Sequence, residues 1–145
     1  MENRIKLDEA EPNAYQAMLG LEGYINATEL APDLKHIIKI RSSQINGCAF
    51  CIQMHTDEAR KQGETDQRMH AIAAWKESPL FSELEKIVLA VTEEITLISD
   101  CGLSKETYKK ALAVLGETRL AQCIMQVVTI NAWNRIALAT NMVHE

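Results

Sequence analysis

The sequence predicts a single all-α domain of six or seven helices. Three observations carry that expectation. Apolar residues recur at three- and four-residue spacing in segment after segment. Gly, Pro and Asn-Gly pairs fall between those segments and not inside them, apart from Gly20 and Gly23. The one strand-like run, Val127-Val128-Thr129-Ile130, sits inside a longer helical pattern. No composition shift, repeat or low-complexity stretch divides the chain, so residues 1–145 read as one domain.

Residues 1–13 are polar, carry Pro12 and read as an extended or loose arm. Ala14, Ala17, Met18, Leu21, Tyr24 and Ile25 then mark a helix over 14–25. Pro32 suits a first helical turn, and Leu34, Ile37, Ile38 and Ile40 carry that helix to about Ile45. Asn46-Gly47 breaks it. The next helix begins at about Cys48 and runs to Gln62, with Gly63 as its stop. Met69, Ile72, Ala73 and Trp75 mark another, ended by Ser78-Pro79. Ser82-Glu83-Leu84-Glu85 is a capping box, and the helix it opens has an apolar stripe at 84, 87, 88, 91, 95 and 98. A helix over about 105–115 follows Gly102 and Ser104. Gly116 separates it from the longest helix, 118–142, which is apolar almost all round through Leu120, Ile124, Val127, Val128, Ile130, Trp133, Ile136 and Leu138. A helix apolar on every side must be buried, in so small a domain partly against another subunit.

The 145 residues are 47% hydrophobic and 24% charged, with a formal net charge of −5. No basic cluster occurs, which argues against nucleic acid and anionic membrane as partners. The N-terminus has no apolar signal core, and no apolar run reaches the roughly 18 residues of a bilayer span. These features point to a cytoplasmic, reduced chain. Four cysteines (48, 51, 101 and 123) in such a chain are not a disulfide framework.

The chemistry concentrates in Asn46-Gly47-Cys48-Ala49-Phe50-Cys51-Ile52-Gln53-Met54-His55. Cys48, Cys51 and His55 fall at i, i+3 and i+7 on one helical face, with Cys51 and His55 four apart. A helix N-terminus favours a thiolate, and a Cys-X-X-Cys placed there has one thiol of lowered pKa. A nearby imidazole takes the proton or stabilises the thiolate. Such a pair reacts with peroxide through a sulfenic acid and a disulfide, or exchanges with an external dithiol. The alternatives are an inert structural pair and a half zinc site; zinc would need two more ligands at close spacing, of which His55 is one.

Outside the motif, Glu93 lies opposite the Leu84–Ile98 stripe between Leu89 and Leu97. A carboxylate in an apolar flank is a candidate base, whereas Lys86 on the same side marks a solvated face. Glu94 reads as a boundary residue. Asn131, Asn134 and Arg135 form an i, i+3, i+4 polar patch, read first as an internal or intersubunit hydrogen-bond network. Cys123 reads as a core residue, Cys101 as a helix-end residue, and His70 and His144 as solvated helix residues. Trp75 and Trp133 read as anchors of the core or an interface.

The run Arg41 to Cys51, with His55, Ala59-Arg60-Lys61 and Gly63-Glu64, resembles the core of the alkylhydroperoxidase D-like (AhpD-like) proteins of the carboxymuconolactone decarboxylase superfamily. Ala74-Trp75, Pro79-Leu80-Phe81, Glu85, Glu93, Thr96 and Asn131 to Arg135 are similar to the same branch, so the resemblance spans about residues 30–140. It implies an all-α AhpD-like fold assembled as a homotrimer or homohexamer. It implies a peroxidase acting on small hydroperoxides, re-reduced by a dithiol such as a lipoylated or thioredoxin-like protein, with no cofactor or metal. It implies Cys51 as the peroxidatic thiol, Cys48 as the resolving thiol and His55 as a proton relay. Two positions depart from the pattern. His36 stands where the relay has a Glu, and Phe50 where it has a His. If His36 faces the site, it shares a proton with His55 or supplies positive charge. Two other readings stay open: a proton-transfer enzyme of the lactone decarboxylase kind, and a non-catalytic oligomer whose disulfide switches an interface.

Overall fold

The structure is a computed structural model that describes residues 3–144. Its helices are α1 (Leu7–Ala10), α2 (Pro12–Ala27), α3 (Pro32–Asn46), α4 (Ala49–Lys61), α5 (Asp66–Ala71), α6 (Glu83–Thr96) and α7 (Lys105–Ala139). A short 3-10 turn, Ile72–Ala74, follows α5. Among the described residues there is no strand, and the all-α expectation holds.

The core is a layer of α3, α6 and α7 packed on one another, with α4 against α3 and α7. Ile37, Ile38 and Ile40 of α3 are fully buried, as are Val88, Leu89 and Val91 of α6. Each such side chain stabilises the fold by about 1.5–3 kcal/mol through the apolar area it withdraws from water. The capping box is complete: Ser82 Oγ accepts from Glu85 N–H, and Glu85 Oε2 accepts from Ser82 N–H at 2.8 Å. Glu94, read as a boundary residue, instead caps the next helix. Its carboxylate accepts from Ser104 N–H and Thr107 Oγ1 and so holds the start of α7 to α6.

The two predicted helices on either side of Gly116 both form: α7 comprises the pair, interrupted where Gly116 leaves helical backbone (φ 74°, ψ 170°), and the second ends at Ala139 rather than at 142. That region is open essentially to glycine alone, so the residue marks the bend as well as permitting it. Only part of α7 is buried within the chain. Leu120, Val127 and Ile130 are covered, while Val128 and Leu138 are 43% and 45% exposed. Length and composition alone would let α7 cross a membrane, yet its buried face carries Gln126, Thr129 and Asn134 and packs on α3 and α6.

The N-terminal arm is more ordered than its polarity suggests. Its described part forms the single turn α1, and α2 starts at Pro12 rather than Ala14; Met1 and Glu2 lie outside the described residues. Arg4 Nη1 donates to Ala139 O at 2.9 Å, which lays the arm along the C-terminal end of α7. Trp133 Nε1 donates to Glu22 Oε1 and joins α7 to α2. Trp75 is buried in the core, at the end of the 3-10 turn rather than inside the helix predicted there.

Candidate active site

The site is built at the junction of α3 and α4. Gly47 adopts the left-handed conformation (φ 70°), and Cys48 N–H reaches back to Ser43 O at 3.0 Å. This closes α3 and re-aims the chain within two residues. Cys48 is the N-cap of α4, its Sγ accepting from Cys51 N–H at 3.3 Å. The sequence placed Cys48 at the first position of the helix; the structure places it one step earlier, where its sulfur faces the unpaired N–H donors of the first turn. Cys48 and Cys51 are joined as a disulfide, with an S–S distance of 2.06 Å. Both are buried, packed with Phe50 against Ala137 of α7.

A polar lattice fixes this junction. Asn46 Nδ2 donates to Asn131 Oδ1 and Asn134 Oδ1, both at 2.9 Å. Asn134 Nδ2 donates to Ser43 Oγ, Asn131 Nδ2 to Thr96 Oγ1, and Arg135 Nη1 to Asn131 Oδ1. Asn131 and Asn134 thus form an internal network between α3, α6 and α7, which the exposed Arg135 joins at its rim through Asn131. Asn46, which the sequence marks only as a helix breaker, ties the end of α3 into the network through both Asn131 and Asn134.

Cys51, but not Cys48, lines a cavity of about 760 Å³. Phe50, Met54 and His55 of α4 share its wall with Tyr15 and Leu19 of α2, Trp133, Ile136 and Ala137 of α7, and the arm from Asn3 to Asp8. The walls next to the sulfur are apolar and aromatic. Lys39, Glu58, Glu22, Asp8, Lys6 and Arg4 supply the charges. Phe50 lies against the exposed His144, ring centroids 5.2 Å apart; His144 sits beyond the end of α7 rather than on a helix.

His55 is buried on the same wall as Cys51. Its Nδ1 is 2.9 Å from Glu58 Oε2, and its Nε2 is buried with no hydrogen-bond partner. Lys39 Nζ reaches the same Glu58 oxygen at 3.3 Å. The hydrogen bond to His55 is the main reason that Glu58 is held down at about 2, with Lys39 adding to it against the cost of burial. Sequence reasoning missed Glu58 and Lys39. The signal was present for Glu58, which lies three residues after His55 on the same helix.

The other two sequence candidates lie elsewhere. His36 is buried but lines a second cavity of about 460 Å³ with Gln62, Glu64, Arg68 and Glu85. Its Nε2 is 2.9 Å from Gln62 Oε1 and its Nδ1 has no partner. Burial is the chief cause that lowers its pKa. Glu93 does not sit in an apolar flank. Its carboxylate receives Arg41 Nε and Nη2 at 3.0 Å and Trp75 Nε1 at 2.6 Å, with Lys76 Nζ 3.6 Å away. These partners hold Glu93 in a structural ion cluster, and it does not reach the cavity that Cys51 lines. Among the described residues no group of three or more His, Cys, Asp or Glu side chains is arranged to hold a metal.

Residues 12–94 match the carboxymuconolactone decarboxylase family. The chain is 38% identical over 139 residues to the uncharacterised protein YdfG of Bacillus subtilis (strain 168), covering 96% of this chain and 95% of that one. It superposes on a crystal structure from Agrobacterium tumefaciens, ATU0492, with a TM-score of 0.96, 33% identity and 99% coverage of both chains. That protein is described as one of unknown function and a candidate antioxidant defence protein AhpD. The debrominase Bmp8, solved with 2,3,4-tribromopyrrole, shares the fold at a TM-score of 0.83 and 21% identity, over 93% of this chain and 72% of that one.

Proposed function

Given that the chain belongs to the carboxymuconolactone decarboxylase family and has an AhpD-like fold, we propose that it is a thiol-dependent peroxidase that reduces small organic hydroperoxides. One observation carries the reading: Cys51 lines the cavity, Cys48 lies behind it within disulfide distance, and the buried His55 shares the cavity wall. Cys51 is the attacking thiol because it is the sulfur on the cavity wall. Cys48 is the resolving thiol.

In the reduced protein the Cys51 thiolate attacks the terminal peroxide oxygen. The S–O bond forms, the O–O bond breaks, and the leaving alkoxide takes a proton and departs as an alcohol. Cys48 then attacks the sulfenic sulfur, forming S–S and releasing water. An external dithiol attacks the disulfide, becomes a disulfide itself and restores two thiols. His55 is the proton carrier for the first two steps. The reductant is a dithiol such as a lipoylated or thioredoxin-like protein. The apolar residues left exposed on α7, Val128 and Leu138 among them, belong to the contacts of a homotrimer or homohexamer.

The test is steady-state consumption of tert-butyl hydroperoxide with dihydrolipoamide as reductant. The reading requires turnover that Cys51→Ser abolishes and Cys48→Ser reduces to a single event. Consumption that survives the double Cys→Ser change would instead favour proton-transfer chemistry of the lactone decarboxylase kind. Disulfide formation that alters oligomeric state without turnover would favour a redox switch.

A further inference from the structure

We infer that Glu58 is a positioning residue of this site: it accepts the Nδ1 proton of His55 and so makes Nε2 the nitrogen that trades protons with Cys51 and its substrate. The inference rests on the proposed peroxidase reading for its chemistry, but its geometry stands separately.

An ionised carboxylate has acceptors only, and at neutral pH Glu58 is ionised. The 2.9 Å contact with His55 therefore places a hydrogen on Nδ1. In the neutral imidazole, Nε2 is then the lone-pair nitrogen. It is this atom that is buried with no partner while Cys51 is tied in a disulfide and has no S–H to give. A buried lone pair carries a desolvation cost, and at His55 it belongs to a residue on the wall of the cavity that Cys51 lines. Cys51 is one turn before His55 on α4, so a thiol there lies on the face that His55 presents to the cavity.

Glu58 is itself held. Lys39, on α3, bonds the oxygen that His55 uses, so the carboxylate cannot swing away without breaking two interactions. The other carboxylates of the cavity serve less well. Glu22 on α2 already accepts from Trp133 Nε1, and Asp8 lies on the arm. Arg4 and Lys6 on the arm and Tyr15 on α2 complete the charged or titratable groups of the cavity wall, to which α7 adds none among the described residues; His36 on α3 lines the other cavity and acts on His55 and Glu58 only through its charge. The arrangement also accounts for how the site works with His36 at the position where a carboxylate was expected: the carboxylate comes from α4, one turn beyond His55, and not from α3.

The test uses the full-length reduced protein with 15N-labelled histidine, as wild type, Glu58→Leu, Glu58→Gln and His55→Leu. Glu58 is about half exposed, so its replacement leaves the fold intact, checked by helical circular dichroism. The expected wild-type spectrum shows His55 as the Nδ1–H tautomer. In Glu58→Leu the two ring nitrogens lose that assignment, and disulfide formation with tert-butyl hydroperoxide slows by about 10- to 100-fold. Glu58→Gln, which keeps an acceptor, falls between. In a His55→Leu background, Glu58→Leu adds no further slowing, because Glu58 acts through His55. An unchanged tautomer in Glu58→Leu overturns the inference, as does a changed tautomer with an unchanged rate. If the wild type forms no disulfide with peroxide, the peroxidase reading falls, and the tautomer comparison still decides the role of Glu58.

Discussion

Asn46 Nδ2 lies 2.9 Å from Asn134 Oδ1 and donates to it, which ties the last residue of α3 to the C-terminal part of α7, the helix that packs against the cysteine pair. Two residues later comes Cys48. The position of the disulfide is thus set by a hydrogen bond between the side-chain amides of a helix-end residue and a fully buried asparagine. Asn134→Ala removes an acceptor from Asn46 and a donor from Ser43 Oγ. It should cost about 1–3 kcal/mol of stability, since buried polar partners are left unpaired. Urea unfolding of the reduced protein measures this. A loss under about 0.5 kcal/mol, the surface-substitution range, would mean that the junction is fixed by packing alone.

Arg41 and Glu93 are a part-buried pair whose role is separable from the chemistry. Arg41→Met leaves the Glu93 carboxylate with Trp75 and the exposed Lys76. It should lower stability by about 2 kcal/mol. The rate of peroxide-driven thiol loss should stay within two-fold of wild type, at roughly the level of experimental scatter. A stable variant with a much slower rate would return Glu93 to the list of chemical residues.

His36 gives the protein a pH-dependent stability of known sign. Burial lowers its folded-state pKa below the ordinary histidine value of about 6.5. As pH falls below about 6.5 the unfolded chain takes up a proton that the folded chain refuses. The unfolded state therefore gains, and stability falls until the pH passes the lowered folded value. His36→Gln should flatten this part of the stability profile. Denaturant midpoints at pH 7.5, 6.5 and 5.5 compare the two proteins. Parallel profiles would show that His36 titrates alike in both states.

The two remaining cysteines should differ sharply in reactivity. Cys123 is fully buried, and burial pushes its thiol up to about 12, so it holds almost no thiolate at neutral pH. Cys101 is exposed. With Cys48 and Cys51 oxidised, an aromatic disulfide reagent should label Cys101 within minutes and Cys123 only on unfolding. Rapid labelling of Cys123 would point to local opening of α7.

Much of the fold was legible because its signals are local. The Ser82–Glu85 capping box, the break at Gly47 and the bend at Gly116 each need a particular residue type at a particular backbone position, and all three stand where the sequence put them. The Cys48, Cys51 and His55 face was legible for the same reason: a helix fixes it by spacing. What escaped were relations between helices. Glu93 was placed on an apolar flank because the pattern of α6 contains nothing of Arg41 or Trp75, which come from other elements. Glu94 was read as a boundary because its partners, Ser104 and Thr107, lie across a loop. Glu58 escaped for a different reason. The resemblance points to a carboxylate upstream of the cysteines, where His36 stands, whereas the one that meets His55 lies within a turn of it on α4. Polarity alone does not reveal the order of the arm, because its contact with Ala139 runs from the Arg4 guanidinium to a backbone carbonyl 135 residues away, which apolar patterning does not encode.

The measurement that tests the central claim most directly is a single-turnover thiol count. The fully reduced protein carries four cysteines. One equivalent of tert-butyl hydroperoxide should remove two thiols quickly, leaving Cys101 and Cys123. Cys48→Ser should lose one thiol and accumulate a sulfenic acid, and Cys51→Ser should lose none on that timescale. If the wild-type thiols disappear no faster than those of free cysteine, or if Cys51→Ser is oxidised as fast as the wild type, Cys51 is not a peroxidatic residue and the account fails.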